Sequence, residues 1–252
     1  MIRTIWVIAG LSFLLWIVFS YQSRDLPAAV LQSDAALTVT QSREYISFWP
    51  EAHQPVTGLL FYPGGMVDPN AYAPLARQLA EKGFAVYLVK LPLRSAPLLG
   101  QEAQVMDYTR QVMATNPSIQ HWVLGGHSRG GAIASRFVAA EPALFAALIL
   151  IGTSHPKEAA FDLSRARLPV MKIYATQDGL ASVAEIEETS RFLPKDTLWV
   201  RIEGGNHAQF GYMGTLLGDH RATISRVDQQ AQTVAAILSL LTMIERRSNA
   251  GG

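Results

Sequence analysis

The sequence predicts an α/β fold: a mostly parallel sheet with helices on both faces, preceded by an apolar N-terminal helix. Three observations carry this. From residue 58 onward, strand-like apolar runs alternate with helical stretches, the rhythm of βαβ units. Those runs are almost continuously apolar, as parallel strands buried on both faces should be. One of them leads directly into Gly126-His127-Ser128-Arg129-Gly130, and a helical run of small residues follows. A serine in G-x-S-x-G on a sharp strand-to-helix turn has the setting of an exposed nucleophile.

Each element follows from its local pattern. Residues 4–21 form an 18-residue stretch without a charge, long enough to cross a bilayer as a helix. A cleaved signal usually has a shorter apolar region and a small-x-small site, and Leu26-Pro27-Ala28 is a poor one. Residues 1–21 are therefore expected to be an uncleaved transmembrane signal-anchor, a single-pass membrane attachment, with a cleaved signal and a secreted or periplasmic chain as the alternative. Arg3 favours a cytoplasmic N-terminus and an extracytoplasmic domain; Arg24 weakens that orientation. Residues 22–36 are polar and read as a linker. Residues 37–40 and 45–49 carry β-formers and read as an edge hairpin, making the sheet mixed.

Residues 58–62 are an apolar strand stopped by Pro63-Gly64-Gly65. Residues 72–82 have helical spacing and end at Gly83, a C-cap signal. Strands are expected over 84–89, 122–124, 147–151, 170–174 and 198–202, and helices over 102–114, 130–139 and 183–192. A long apolar helix over 231–244 closes the domain. The domain spans 37–247, with a short tail over 248–252.

Bulk properties narrow the function. The chain has 252 residues, enough for one such domain with a sizeable core. Its 21 basic and 20 acidic residues give a net charge of +1 without a long basic patch, which argues against a nucleic-acid partner. Cysteine is absent, excluding disulfides, a thiolate nucleophile and cysteine-ligated metal. No H-E-x-x-H spacing, G-x-G-x-x-G or P-loop lysine occurs, so neither a metal nor an organic cofactor is expected.

A serine hydroxyl is a weak nucleophile until a base takes its proton, and histidine is the usual base. Of six histidines, His53, His121, His155 and His220 lie in loops or at strand starts, and His127 sits inside the motif with its side chain expected to point away from Ser128. His207 follows the last strand in Glu203-Gly204-Gly205-Asn206-His207-Ala208, and flanking glycines let that loop reach the turn. The acid should lie between Ser128 and His207, just past a strand end. Asp178 fits, with Asp162, Glu185, Glu187 and Glu188 as competitors and Glu185 as the reserve. An oxyanion hole needs two backbone N–H groups. Arg129, after the serine, offers one. The loop after residue 62 offers the other, from Gly65 or alternatively Met66.

With these pieces together the chain resembles an α/β-hydrolase over about residues 40–245, most similar to a compact bacterial branch related to the dienelactone-hydrolase-like members. The matching pieces are Pro63-Gly64-Gly65, Tyr72-Ala73-Pro74-Leu75-Ala76, the Ser128 pentapeptide, Asp178 and Gly204-Gly205-Asn206-His207-Ala208-Gln209-Phe210-Gly211. Pro63 stands where many relatives carry histidine. The resemblance implies hydrolysis of an ester, thioester, lactone or amide bond in a small acyl substrate. Other readings are a non-catalytic, membrane-tethered binding module on the same fold, or an acyltransferase using the same residues. Only 18 positions, 152–169, separate the strand after the elbow helix from the acid's strand, too few for a large cap. An open site is expected, roofed by loops around Met66, His155 and Phe210, with Tyr212, Met213 and Leu216 as apolar lining.

Overall fold

The structure, a computed structural model, describes residues 2–250, apart from the side chains of residues 2, 3, 5, 14 and 248–250. Its centre is an eight-stranded sheet built from β1 (Leu37–Gln41), β2 (Tyr45–Pro50), β3 (Thr57–Tyr62), β4 (Ala85–Val89), β5 (His121–His127), β6 (Ala147–Ile151), β7 (Val170–Ala175) and β8 (Leu198–Ile202). The spatial order is β1-β2-β4-β3-β5-β6-β7-β8. β2 runs antiparallel to both β1 and β4, and every later pairing is parallel. The mixed edge and parallel centre match the hydropathy reading. β3, β4 and β6 are buried along their whole length, as strands covered on both faces must be.

Helices α2 (Ala73–Ala80) and α6 (Arg226–Ala250) cover one face, where Leu75, Leu79, Ile237 and Leu241 pack on Leu59, Phe61 and Ile149. Helices α3 (Gln101–Thr115) and α4 (Arg129–Ala140) cover the other, where Val105, Val112, Ile133 and Phe137 pack on Leu60, Leu124 and Leu148. α5 (Val183–Thr189) follows β7 and is capped by the Ser182 hydroxyl, which accepts from the Glu185 amide. α6 begins before and ends after the expected 231–244, and its last turns take up part of the tail expected over 248–252. The segment between β6 and β7 holds one short 3₁₀ turn and no cap domain.

The expected transmembrane span over 1–21 is not supported. Helix α1 (Ile2–Ser20) does form, but among the described residues no helix is long and apolar enough to cross a membrane. Trp6, Val7, Ile8, Leu11, Leu15 and Phe19 are exposed along it. The Arg3 side chain invoked for orientation lies outside the described residues. Residues 22–36, expected as a linker, fold into turns against α2: Val30 is buried, and the Arg77 guanidinium donates to the carbonyls of Ala29, Val30 and Gln32 and pairs with Asp34.

Candidate active site

The parallel strands end on one edge of the sheet, and the predicted residues collect in the loops there, as open α/β sheets favour. Ser128 sits between β5 and α4 with φ 51° and ψ −117°, a left-handed-side conformation that a non-glycine residue adopts only under constraint. The two motif glycines supply the constraint. A Cβ at Gly126 would lie 2.4 Å from the Gly130 carbonyl carbon, and one at Gly130 would lie 2.1 Å from the Tyr62 carbonyl oxygen. Only bare backbone lets β3, β5 and α4 close this tightly, and the turn holds the serine at the tip. The Ser128 amide donates to the Ile151 carbonyl at 2.9 Å, tying the elbow to the end of β6.

His207 and Asp178 come together from separate loops. The His207 Nδ1–H faces the Asp178 carboxylate, at 2.8 Å from Oδ2 and 3.0 Å from Oδ1. Both are buried. Asp178 Oδ1 also accepts from the Leu180 and Ala181 amides at 2.8 and 2.7 Å, so the carboxylate is held before it meets the imidazole. With Nδ1 committed to the acid, the lone pair of Nε2 is left for a hydroxyl proton. Glu185, the reserve acid, instead pairs with Lys157 at 3.4 Å.

Ser128, His207, Gly65 and Arg129 line one small cavity of about 90 Å³, together with His127, Gly64, Val67, Tyr21, Leu180 and Leu216. The alternative donor is already occupied. The Met66 amide donates to the Arg94 carbonyl at 2.7 Å and to Ser95 Oγ at 3.0 Å. The Gly64 amide donates to the Tyr72 hydroxyl at 3.0 Å. Gly65, between them, is the loop glycine with an uncommitted amide among the described hydrogen bonds. Arg129 opens α4, where the first amides lack intrahelical acceptors and the helix dipole favours negative charge. Its side chain points elsewhere, donating to the Ser95 and Ala96 carbonyls and pairing with Glu102 at 2.6 Å. The guanidinium thereby pins the neighbouring loop, whose Arg94 and Ser95 in turn hold the Met66 amide of the loop after β3.

His127 is buried and lies 2.7 Å from the Tyr72 hydroxyl through Nδ1. The phenol accepts from the Gly64 amide and shares its other hydrogen bond with the imidazole, so the ring and the loop are tied through one hydroxyl. Burial first, then the nearby His207, hold the His127 pKa well below the ordinary histidine value. This Tyr72 bridge gives the loop a polar anchor that Pro63 cannot supply. His155 lies outside the cavity lining, 3.2 Å from Thr153 Oγ1, its pKa held down to about 4 by burial and then by Lys157 and Arg136.

Three residues missed in the sequence hold the site. Asp219 accepts from the Gly179, His207 and Ala208 amides at 3.2, 3.2 and 2.9 Å, stapling the acid loop to the histidine loop. Gln229, buried on α6, accepts from the Asn206 amide and donates to the Asn206 carbonyl at 3.0 and 2.7 Å. Tyr21 lines the cavity from the far N-terminus. Gly218-Asp219 is a recognisable turn pair, but nothing local marks the contacts of any of the three. The roof differs from expectation too. Leu216 does line the cavity, whereas Met213 and Phe210 are buried in the core, with Phe210 against the His127 ring at 5.5 Å. Among the described residues, no group of three or more His, Asp or Glu side chains forms a metal site.

Comparison with known proteins agrees with this architecture. A model of the alpha/beta hydrolase family matches residues 58–231, and the chain belongs to that family. It is similar in structure to Est1E from Butyrivibrio proteoclasticus, with TM-score 0.62 and 12% identity over 84% of this chain and 100% of that one. Esterase 2 of Thermogutta terrifontis, phosphonylated by cyclosarin, gives TM-score 0.58 and 15% identity over 82% and 95%. MGS-MChE2, an alpha/beta hydrolase enzyme from the metagenome of lagoon sediments of Mar Chica, Morocco, gives 0.55 and 21% over 68% and 90%. At these identities the likeness is one of fold. No curated protein matches the sequence.

Proposed function

We propose that the chain is a serine hydrolase that cleaves an ester-type bond through an acyl-enzyme on Ser128. The observation that carries this is the shared cavity: Ser128, His207 and the Gly65 and Arg129 backbones line it, and His207 is bound to the buried Asp178.

In this reading Ser128 Oγ attacks the acyl carbonyl as His207 Nε2 takes its proton. Asp178 keeps the ring in the productive tautomer and stabilises the imidazolium. The carbonyl oxygen becomes an oxyanion held by the Gly65 and Arg129 amides. Collapse expels the leaving alkoxide, which takes the proton from His207. Water then attacks the acyl-enzyme, giving its proton to His207, and the second collapse frees the acid and returns the proton to Ser128 Oγ. Thioesters and lactones fit the same steps, and an amide requires the same proton donation to a poorer leaving group.

A fluorophosphonate probe tests the reading, since it reacts with an activated serine. We expect one adduct, mapped by peptide mass to Ser128 and lost in Ser128→Ala. Labelling that persists in that variant, or is absent from the wild type, removes Ser128 as the nucleophile.

A further inference from the structure

The cavity is closed on one side by residues from the opposite end of the sequence. Directly after α1, the chain crosses the mouth of the site and is fixed at both edges. The Ser20 carbonyl accepts from the Gly214 amide at 2.9 Å, and the Arg24 amide donates to the Tyr212 carbonyl at 2.8 Å, both in the loop that follows His207. On the other edge, the Tyr21 carbonyl accepts from the Asp68 amide at 2.9 Å, and the Ser23 hydroxyl donates to the Asp68 carboxylate at 2.8 Å. Asp68 lies just past the oxyanion loop and caps the 3₁₀ turn over Pro69–Tyr72. Gln22 Oε1 accepts from Arg94 at 3.2 Å. Between these anchors Tyr21 lines the same small cavity as Ser128, His207 and Gly65, together with Leu180 and Leu216.

From this geometry we infer that residues 20–24 are a fixed strap over the site, and that Tyr21 sizes the acyl group that reaches Ser128. The inference rests on the serine-hydrolase reading above and names its substrate class: esters of short acyl groups, about two to four carbons. A cavity of about 90 Å³ holds only a few water-sized volumes, well under the ~300 Å³ at which small-molecule pockets usually begin. Its apolar walls, Leu180, Leu216 and Val67, suit an alkyl group, while the backbone bonds of the strap keep the phenol from swinging away with the helix. The N-terminal segment is thus part of the active domain, and a chain trimmed to start beyond residue 24 lacks one wall of its site.

The test is the ratio of kcat/KM for p-nitrophenyl octanoate to that for p-nitrophenyl acetate, measured on the full chain. The wild type should favour acetate by about 100-fold or more, because added methylenes have no space. Tyr21→Ala should raise the octanoate-to-acetate ratio at least about tenfold, whereas Tyr21→Phe, which keeps the bulk, should leave it as in the wild type. A ratio near one in the wild type, an unchanged ratio in Tyr21→Ala, or the same shift in both variants would overturn the strap's role. A failure of the underlying reading looks different: a small methylphosphonate probe would then leave wild-type Ser128 unlabelled.

Discussion

Two imidazoles lie with ring centroids 4.4 Å apart in this molecule, and they do opposite things. His207 turns Nδ1 to a carboxylate and Nε2 to the cavity that holds Ser128. His127 turns Nδ1 to a phenol, and its buried Nε2 has no hydrogen-bond partner among the described residues. A carboxylate stabilises an imidazolium; a neutral phenol brings no opposite charge. Burial then penalises the charged form of His127 without any compensating ion, and the neighbouring His207 adds to that penalty. The ring still has a structural use, because through Tyr72 it holds the Gly64 end of the loop after β3.

Removing the partner that makes His207 different should have the larger effect. Asp178→Asn keeps Oδ1 for the Leu180 and Ala181 amides but offers the imidazole an NH₂ group, which favours the wrong tautomer. Steady-state kinetics should show kcat reduced by about 10⁴-fold with a far smaller change in KM. A loss below tenfold would mean that the acid does not define the base.

A smaller effect sharpens the other side of the comparison. The folded pKa of His127 lies below its unfolded value of about 6.5, so below that pH the unfolded chain binds the extra proton. The ring's penalty is absent above pH 6.5, and stability is lost as pH falls from there. His155, held down to about 4, acts in the same direction. His127→Asn keeps an acceptor where Nδ1 meets Tyr72 and removes one of the two titrations. Urea unfolding between pH 7 and pH 5 should then show a shallower fall, by up to about 1.4 kcal/mol per pH unit. Equal slopes in variant and wild type would show that His127 is not held neutral.

The comparison also marks what the sequence discloses. Ser128 was legible because its constraints are local: a strand, two glycines that must be bare, and a helix start within a few residues. β6 coincides with the run expected at 147–151, since a buried parallel strand is written as uninterrupted apolar residues, and β8 coincides with the run expected at 198–202 although it is an edge strand exposed over most of its length. Strand ends and chain order pointed to Asp178 and His207, which the fold brings into hydrogen-bond contact. The partner of His127 was not legible: Tyr72 reads as an aromatic residue at a helix start, and its link to Gly64 and the ring exists only after β3, β5 and α2 have packed. Asp219 and Tyr21 were hidden for the same reason, their contacts being long-range and made by loop backbone that carries no periodic signal. Hydropathy, flanking charges and the missing cleavage signal of the N-terminal segment describe α1 and its ends but not the hydrogen bonds that anchor residues 20–24 to the loops around Asp68 and Tyr212.

The most direct test of the account is the rate of fluorophosphonate labelling at Ser128 in two single variants. His207→Ala should slow it by about 10²–10⁴-fold, the usual contribution of a general base, while His127→Asn should stay within about tenfold of the wild type. Equal loss in both variants, or rapid labelling in His207→Ala, would contradict the assignment of His207 as the base that activates Ser128.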